Sequence, residues 1–400
     1  MANARLTSNE RSFSLQDHKA ISSEINPFLV KPSVLADFQI SVDQVPTMST
    51  LSGALGAENL YQIPPNGLLR DVTLNLNMSA DTGDHDVAQN LAMSVIEYAE
   101  LRYNSTLIQR LDADYLQMRY MVLPEARRRS HRYTADGGAD IEASQGVDVD
   151  NISGELICEL PFFFKELPQN HIDCRKLNNM WQIRIKFRTQ DQLEVSGTVA
   201  NLAVTKNQLL CEFLHPAAGL EAPIAQQYND GFELPIEYPE LVVDIPTANT
   251  SSVSVDIDSF TGLSEKFMFM VRNYNDATIG TSVKGIYHNT YNVTNSKFTG
   301  NGHDLVKQEA GYYTLLKYIE RHPDVDFQNL LETYPVYIIN FDKHKFGTNA
   351  HTGSLDMDNI RGKKLVLNFT PDGTDQEIIS VVSVRRSILV FKNGNVTIKG

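Results

Sequence analysis

What this 400-residue sequence lacks excludes more functions than any motif it carries. Its three cysteines, Cys158, Cys174 and Cys211, are an odd number, widely spaced and without a C-x-x-C pair. A disulfide framework or a zinc knuckle therefore has no basis. Positive charge is scarce: 35 Lys and Arg stand against 49 Asp and Glu, a formal net charge of -14. Neutralising phosphates requires concentrated cations, so direct nucleic-acid contact is not expected. The densest basic run, Arg127-Arg128-Arg129-Ser130-His131-Arg132, reads as a solvated loop beside the Asp-bearing stretch that follows it. No apolar run approaches the ~18 residues that a membrane-spanning helix needs. The amino end shows no basic start followed by an apolar stretch and a cleavage site. We expect a soluble product made in a reducing compartment.

What is present belongs to a folded chain. Hydrophobic residues make up 42% and aromatics 9%, and the length predicts two to three domains at about 150 residues each. Residues 1–60 differ from the rest, being rich in Ser, Asn, Gln and Ala with no sustained period. They read as an extended arm carrying four basic and six acidic residues, which excludes a polybasic tail.

After the turn chemistry of Pro64-Pro65-Asn66-Gly67, apolar and polar residues alternate. Leu68, Arg70, Val72, Leu74, Leu76 and Met78 lie on one face, against Asp71, Thr73, Asn75 and Asn77 on the other. The same period returns at Trp181, Ile183, Ile185 and Phe187, and at Val253, Val255 and Ile257. Leu156 to Phe164 and Pro335 to Phe341 are apolar runs of the kind found in sandwich strands. Near the carboxyl end, Asn393-Gly394 supplies the two positive φ values of a tight hairpin. Helices are few: one is predicted from a cap at Asp112 to a stop at Pro124, another around Tyr312 to Ile319 before His322-Pro323. Prolines 216, 223, 235, 239 and 246 punctuate the middle, where we place a domain boundary near residue 235. The expected fold is all-β: an arm (1–60) and two tandem eight-stranded jelly rolls (61–234 and 235–400) with short crossover helices.

Specific segments then carry a family likeness. Ile63 to Val72 resembles the opening strand of the double jelly-roll major capsid proteins of tailless icosahedral DNA viruses, a lineage that includes membrane-containing phages and nucleocytoplasmic large DNA viruses. Leu160-Pro161-Phe162-Phe163-Phe164 and Leu177 to Phe187 are similar to that family's strand, short helix and alternating strand. Thr352 to Ile360 and Val381 to Gly394 resemble its late segment and closing strand. The pieces occur in the family's order and bracket residues 63–394.

The resemblance implies a major capsid protein located in the virion, synthesised in the host cytoplasm and without catalytic activity. It implies homotrimers whose six barrels fill a hexagonal lattice site, with neighbouring capsomers, minor capsid, penton or inner-membrane proteins as partners. An internal lipid membrane would be met through the amino-terminal arm, and residues 126–154 and 284–310 would be outward loops. The alternative function is a carbohydrate-binding jelly-roll virion protein, which would expose Trp and Tyr on a concave sheet.

Candidate chemistry is sparse. A cupin-type metal site needs two histidines two residues apart, and the ten histidines contain no such pair. Asp342, His344 and His351 read as solvated loop residues. Asp356-x-Asp358-Asn359 and Asp136-Gly137-Gly138-Ala139-Asp140 gather oxygens but lack the ordered spacing of a calcium loop. His171-Ile172-Asp173-Cys174 places a thiol near an imidazole, yet close neighbours in sequence rarely share nucleophile–base geometry. By the family comparison this segment is a short inter-strand helix. Phe162 to Phe164 are expected in the core or a trimer interface. No catalytic, cofactor-binding or metal residues, and no cofactor, are assigned.

Overall fold

The computed structural model describes residues 38–48, 55–79, 86–88, 90–123, 146–148, 155–166, 171–175, 181–196, 202–216, 218–246, 250–273, 278–279, 282–283, 291–308, 336–341, 353–370, 376–392 and 394–399. Two β units follow one another. The first contains β1 (Phe38–Pro46), β2 (Glu58–Gln62), β3 (Leu68–Ser79), β4 (Asp86–Ala88), β5 (Ile96–Tyr103), β6 (Thr106–Asp112), β7 (Gly146–Asp148), β8 (Leu156–Glu159), β9 (Ile172–Asp173), β10 (Trp181–Phe187), β11 (Glu194–Ser196) and β12 (Ala203–Pro216). Its helices are α1 (Leu91–Ser94), α2 (Ala113–Met121) and α3 (Phe163–Glu166). After α4 (Ala218–Asp230), the second unit contains β13 (Phe232–Asp244), β14 (Ser252–Asp256), β15 (Leu263–Asn273), β16 (Thr278–Ile279), β17 (Ser282–Val283) and β18 (Val293–Gly300). It continues with β19 (His303–Gln308), β20 (Tyr337–Asn340), β21 (Leu355–Asp356), β22 (Lys364–Phe369), β23 (Glu377–Lys392) and β24 (Asn395–Lys399).

The sheet orders are β1-β12-β3-β8 and β2-β10-β5-β6 in the first unit, and β13-β23-β15-β20 and β14-β22-β18-β19 in the second. Counting only these strands, eight per unit, both units have the order 1-8-3-6 in one sheet and 2-7-4-5 in the other. The jelly roll occurs twice with one topology. Small additions (β4, β7, β9, β11, β16, β17, β21 and β24) decorate that frame. Strands four and five are joined in each unit by a turn with two positive φ angles, Asn104-Ser105 in the first and Asn301-Gly302 in the second.

Alternation builds the interior. Along β10, Trp181, Ile183, Ile185 and Phe187 are buried and the residues between them half-buried, and in β14 buried Val253 and Val255 alternate with exposed residues. In β3, Arg70 does not join the apolar face. The register slips between Glu212 and Phe213 of β12, leaving Arg70 without an opposite residue; this bulge turns its guanidinium outward to Glu212 at 3.1 Å. Asp112 is the N-cap residue of α2, as expected, and β23 and β24 form the terminal hairpin around Gly394.

Several expectations are corrected. The arm cannot extend to residue 60, because β1 and the start of β2 are strands of the first unit. The sequence hides β1: Ile40 and Val42 point outward while Val45 is buried, so the period breaks. Residues 1–37 lie outside the described residues. The boundary near 235 falls inside β13, and α4 occupies most of the stretch before it. Pro235 and Pro239 are tolerated because β13 is an edge strand of its sheet. The strand from Leu156 stops at Glu159, since Pro161 cannot donate to a ladder, and Phe163–Glu166 is helical. Ile172–Asp173 is a short strand on β3 rather than a helix. Within the expected loop 284–310, residues 293–300 and 303–308 form a hairpin, and in 126–154 residues 146–148 pair with β4. The helix around Tyr312 to Ile319, the basic run 127–132, residues 136–140 and the group Asp342, His344 and His351 lie outside the described residues.

Candidate functional site: the junction between the two jelly rolls

The strands of the β13-β23-β15-β20 sheet serve two cores. Phe267, Phe269, Val271, Tyr337, Ile339, Ile379 and Val381 face the interior of the second unit with Val255, Phe298 and Leu367. Their alternating neighbours Met268, Met270, Val336, Ile338, Val382 and Val384 join the core of the first unit. Burial on both faces requires continuous apolar runs, which explains Phe267-Met268-Phe269-Met270-Val271 and Ile378-Ile379-Ser380-Val381-Val382. The two units are therefore packed into one body by a shared hydrophobic layer.

Polar contacts fix its orientation. From α2, both oxygens of Asp114 accept from Arg272 Nη2 of β15 at 3.2 Å, and the Ser380 hydroxyl of β23 also donates to Asp114. Arg272 is 1% exposed. Gln109 of β6 donates through Nε2 to the Glu237 carbonyl of β13 at 2.8 Å and accepts through Oε1 from the Phe163 amide at 2.9 Å. The Tyr103 hydroxyl donates to the Gly394 carbonyl at 2.6 Å. Tyr228 of α4 stacks edge-on against Phe232 and Phe391 and accepts from the Asp173 amide. Asp173 in turn holds Arg175, which reaches Glu221 of α4 at 2.7 Å. A buried ion pair adds little net stability over an apolar pair, but it specifies one geometry, since any other leaves charges desolvated.

Alongside this junction runs a groove of about 450 Å³ lined by Arg110, Asp112, Tyr238, Glu240 and Phe260. Burial raises the carboxyls of Asp112 and Glu240 above their ordinary range, opposed by the charges of Arg110 and Arg385 respectively.

The other sequence candidates are structural. The oxygens of Asp356 accept from the Asp358 amide at 3.1 Å and the Asn359 side chain at 2.6 Å, while Asp358 accepts from the Gly262 amide. They close a turn. Among the described residues, no group of three or more His, Cys, Asp or Glu is placed to hold a metal ion. Phe162, Phe163 and Phe164 are core residues, 0–1% exposed. Trp181 is 1% exposed, 5.0 Å from the ring of Tyr103, so it offers no sugar platform. Of the cations at alternate positions along β10 and just after it, Arg184 pairs with exposed Glu58 and Lys186 caps the Gly56 carbonyl. Arg188 is buried and donates to the carbonyls of Ser94 and Ile96.

All three cysteines are buried and unbridged. Burial pushes the thiols of Cys158 and Cys211 up to about 12 and raises that of Cys174. Since the thiolate is the reactive form, native protein at pH 8 should resist iodoacetamide and take up three labels per chain only when unfolded. Rapid labelling of the native chain would contradict the placement of these residues.

A sequence-family profile described as "Major capsid protein N-terminus" matches residues 37–214, the first jelly roll with β1 included. The match covers somewhat less than half of the chain, and it marks that part as similar to the amino-terminal domain of major capsid proteins. Solved structures extend the likeness to the whole fold. PBCV-1 VP54, fitted into a reconstruction of the virophage Sputnik, is similar over 92% of this chain and 98% of its own, with a TM-score of 0.73 and 14% identity. The Faustovirus major capsid protein covers 98% of each chain at a TM-score of 0.68 and 8% identity. The mavirus major capsid protein covers 90% of each at 0.51 and 9%. No curated protein sequence matches significantly.

Proposed function

We propose that this chain is a major capsid protein, three copies of which assemble into a pseudo-hexameric capsomer, the tile of an icosahedral shell. The observation that carries the reading is the repeated strand order, 1-8-3-6 and 2-7-4-5, in two units locked together by a buried layer. Three chains then supply six similar barrels, so an object of threefold symmetry fits a sixfold lattice position. The residues before β1 are read as an inward arm toward an internal membrane or minor proteins. In this reading the first jelly roll runs from β1 to β12 and the second from β13 onward, with α4 as the connection. The net charge of -14 suits a shell that stays soluble and does not bind the packaged genome. Light scattering on purified protein at micromolar concentration should give three times the 44.9 kDa of one chain; a stable monomer would overturn the proposal.

A further inference from the structure

Within one chain, the junction joins specific strands. The first unit presents strand five (β6) and the α2 helix that follows it; the second presents the outer face of the sheet edged by its strand one, β13. Both sides are covered. Along β6, Ile108, Gln109 and Leu111 are buried, and on the outer face of β13, opposite Val384 and Val382, Pro239 is buried and Leu241 is half-buried against the first unit's core.

Among the described residues, the topologically equivalent strands β1 and β19 have no such cover. Strand one of the first unit is β1, an edge strand whose Ile40 and Val42 project from the outer face of its sheet at 58% and 57% exposure. Strand five of the second unit is β19, also an edge, where residues 303–305 and 307 are exposed and Leu305 is 41% exposed. One copy thus carries both halves of the internal junction, unfilled, at opposite ends of its topology.

We infer that β19 of one copy docks on the outer face at β1 of the next, repeating between chains the contact that β6 and β13 make within a chain. Leu305 meets Ile40 and Val42 in this arrangement. The contact is head-to-tail, so each copy offers one donor and one acceptor face, and a ring closes when both are filled. Apolar residues exposed at an edge strand are otherwise an aggregation liability, which this docking removes. The inference rests on the trimeric reading and adds to it which surfaces meet.

Two variants test it: the double substitution Ile40→Glu with Val42→Glu, and the single substitution Leu305→Glu. All three positions are exposed, so each variant should keep the wild-type circular dichroism spectrum, and its mass can be read on folded protein. Each alone should lose the trimer and run as a monomer in light scattering. Mixed in equal amounts, they should form a species of twice the chain mass and no larger, because one intact face of each kind remains. If the wild type is trimeric and the Leu305 variant stays trimeric, or the mixture stays monomeric, this pairing of surfaces is wrong while the trimer stands. A monomeric wild type would overturn both.

Discussion

Replacing Asp114 by alanine should destabilise the protein by about 3–5 kcal/mol, because it withdraws a carboxylate from a guanidinium buried between two jelly rolls. Arg272 is 1% exposed and its Nη2 lies 3.2 Å from both oxygens of Asp114, while Ser380 donates to the same carboxylate. The loss falls on the seam rather than inside either barrel. Calorimetry of the wild type should therefore show one cooperative transition, and the variant should separate it into two, as two units that have lost their orientation lock unfold independently. The sharper control is Asp114→Asn, which keeps the shape and some hydrogen bonding and should cost less. A variant within about 0.5 kcal/mol of wild type, still unfolding in one step, would show that the apolar layer alone fixes the junction.

The second large effect is at the only tryptophan. Trp181→Ala should cost about 3–5 kcal/mol by opening a cavity in the first barrel that its neighbours fill only partly. With both units unfolding in one transition, that corresponds to a fall in melting temperature of roughly 5 °C. Trp181 packs 5.0 Å from Tyr103, whose hydroxyl bonds the Gly394 carbonyl of the second unit's last turn. The same substitution should therefore raise hydrogen exchange in β24, far away in sequence. A nearly neutral Trp181→Ala, with wild-type exchange at the carboxyl end, would mean that the side chain is not in the core.

Strands whose one face meets water were legible from residues alone: β3, β10 and β14 announce themselves by alternation, and Gly394 marks the last hairpin. The bulge at Arg70 was not, since a register slip leaves no local signature and the charged residue simply appears on the wrong face. Nor was β1, because an edge strand with outward Ile40 and Val42 breaks the period that identifies a strand. The junction had a signal that could have been used. Phe267 to Val271 and Ile378 to Val384 are apolar on both parities, which a half-exposed sheet cannot support and a sheet packed on two cores requires. The boundary placed near residue 235 falls inside a strand for a physical reason too: prolines are tolerated in the edge strand β13, and Pro223 lies in a helix anchored by buried Ile224 and Tyr228. The pairing of Asp114 with Arg272, 158 residues apart, comes from tertiary geometry alone.

The central claim is that two copies of one barrel, fused at a fixed angle, are tripled into a hexagon-like tile. Electron micrographs of the purified protein test this most directly. The account predicts trimeric particles with six barrel-sized lobes around a threefold axis, able to array hexagonally; isolated two-lobed particles at micromolar concentration would contradict it.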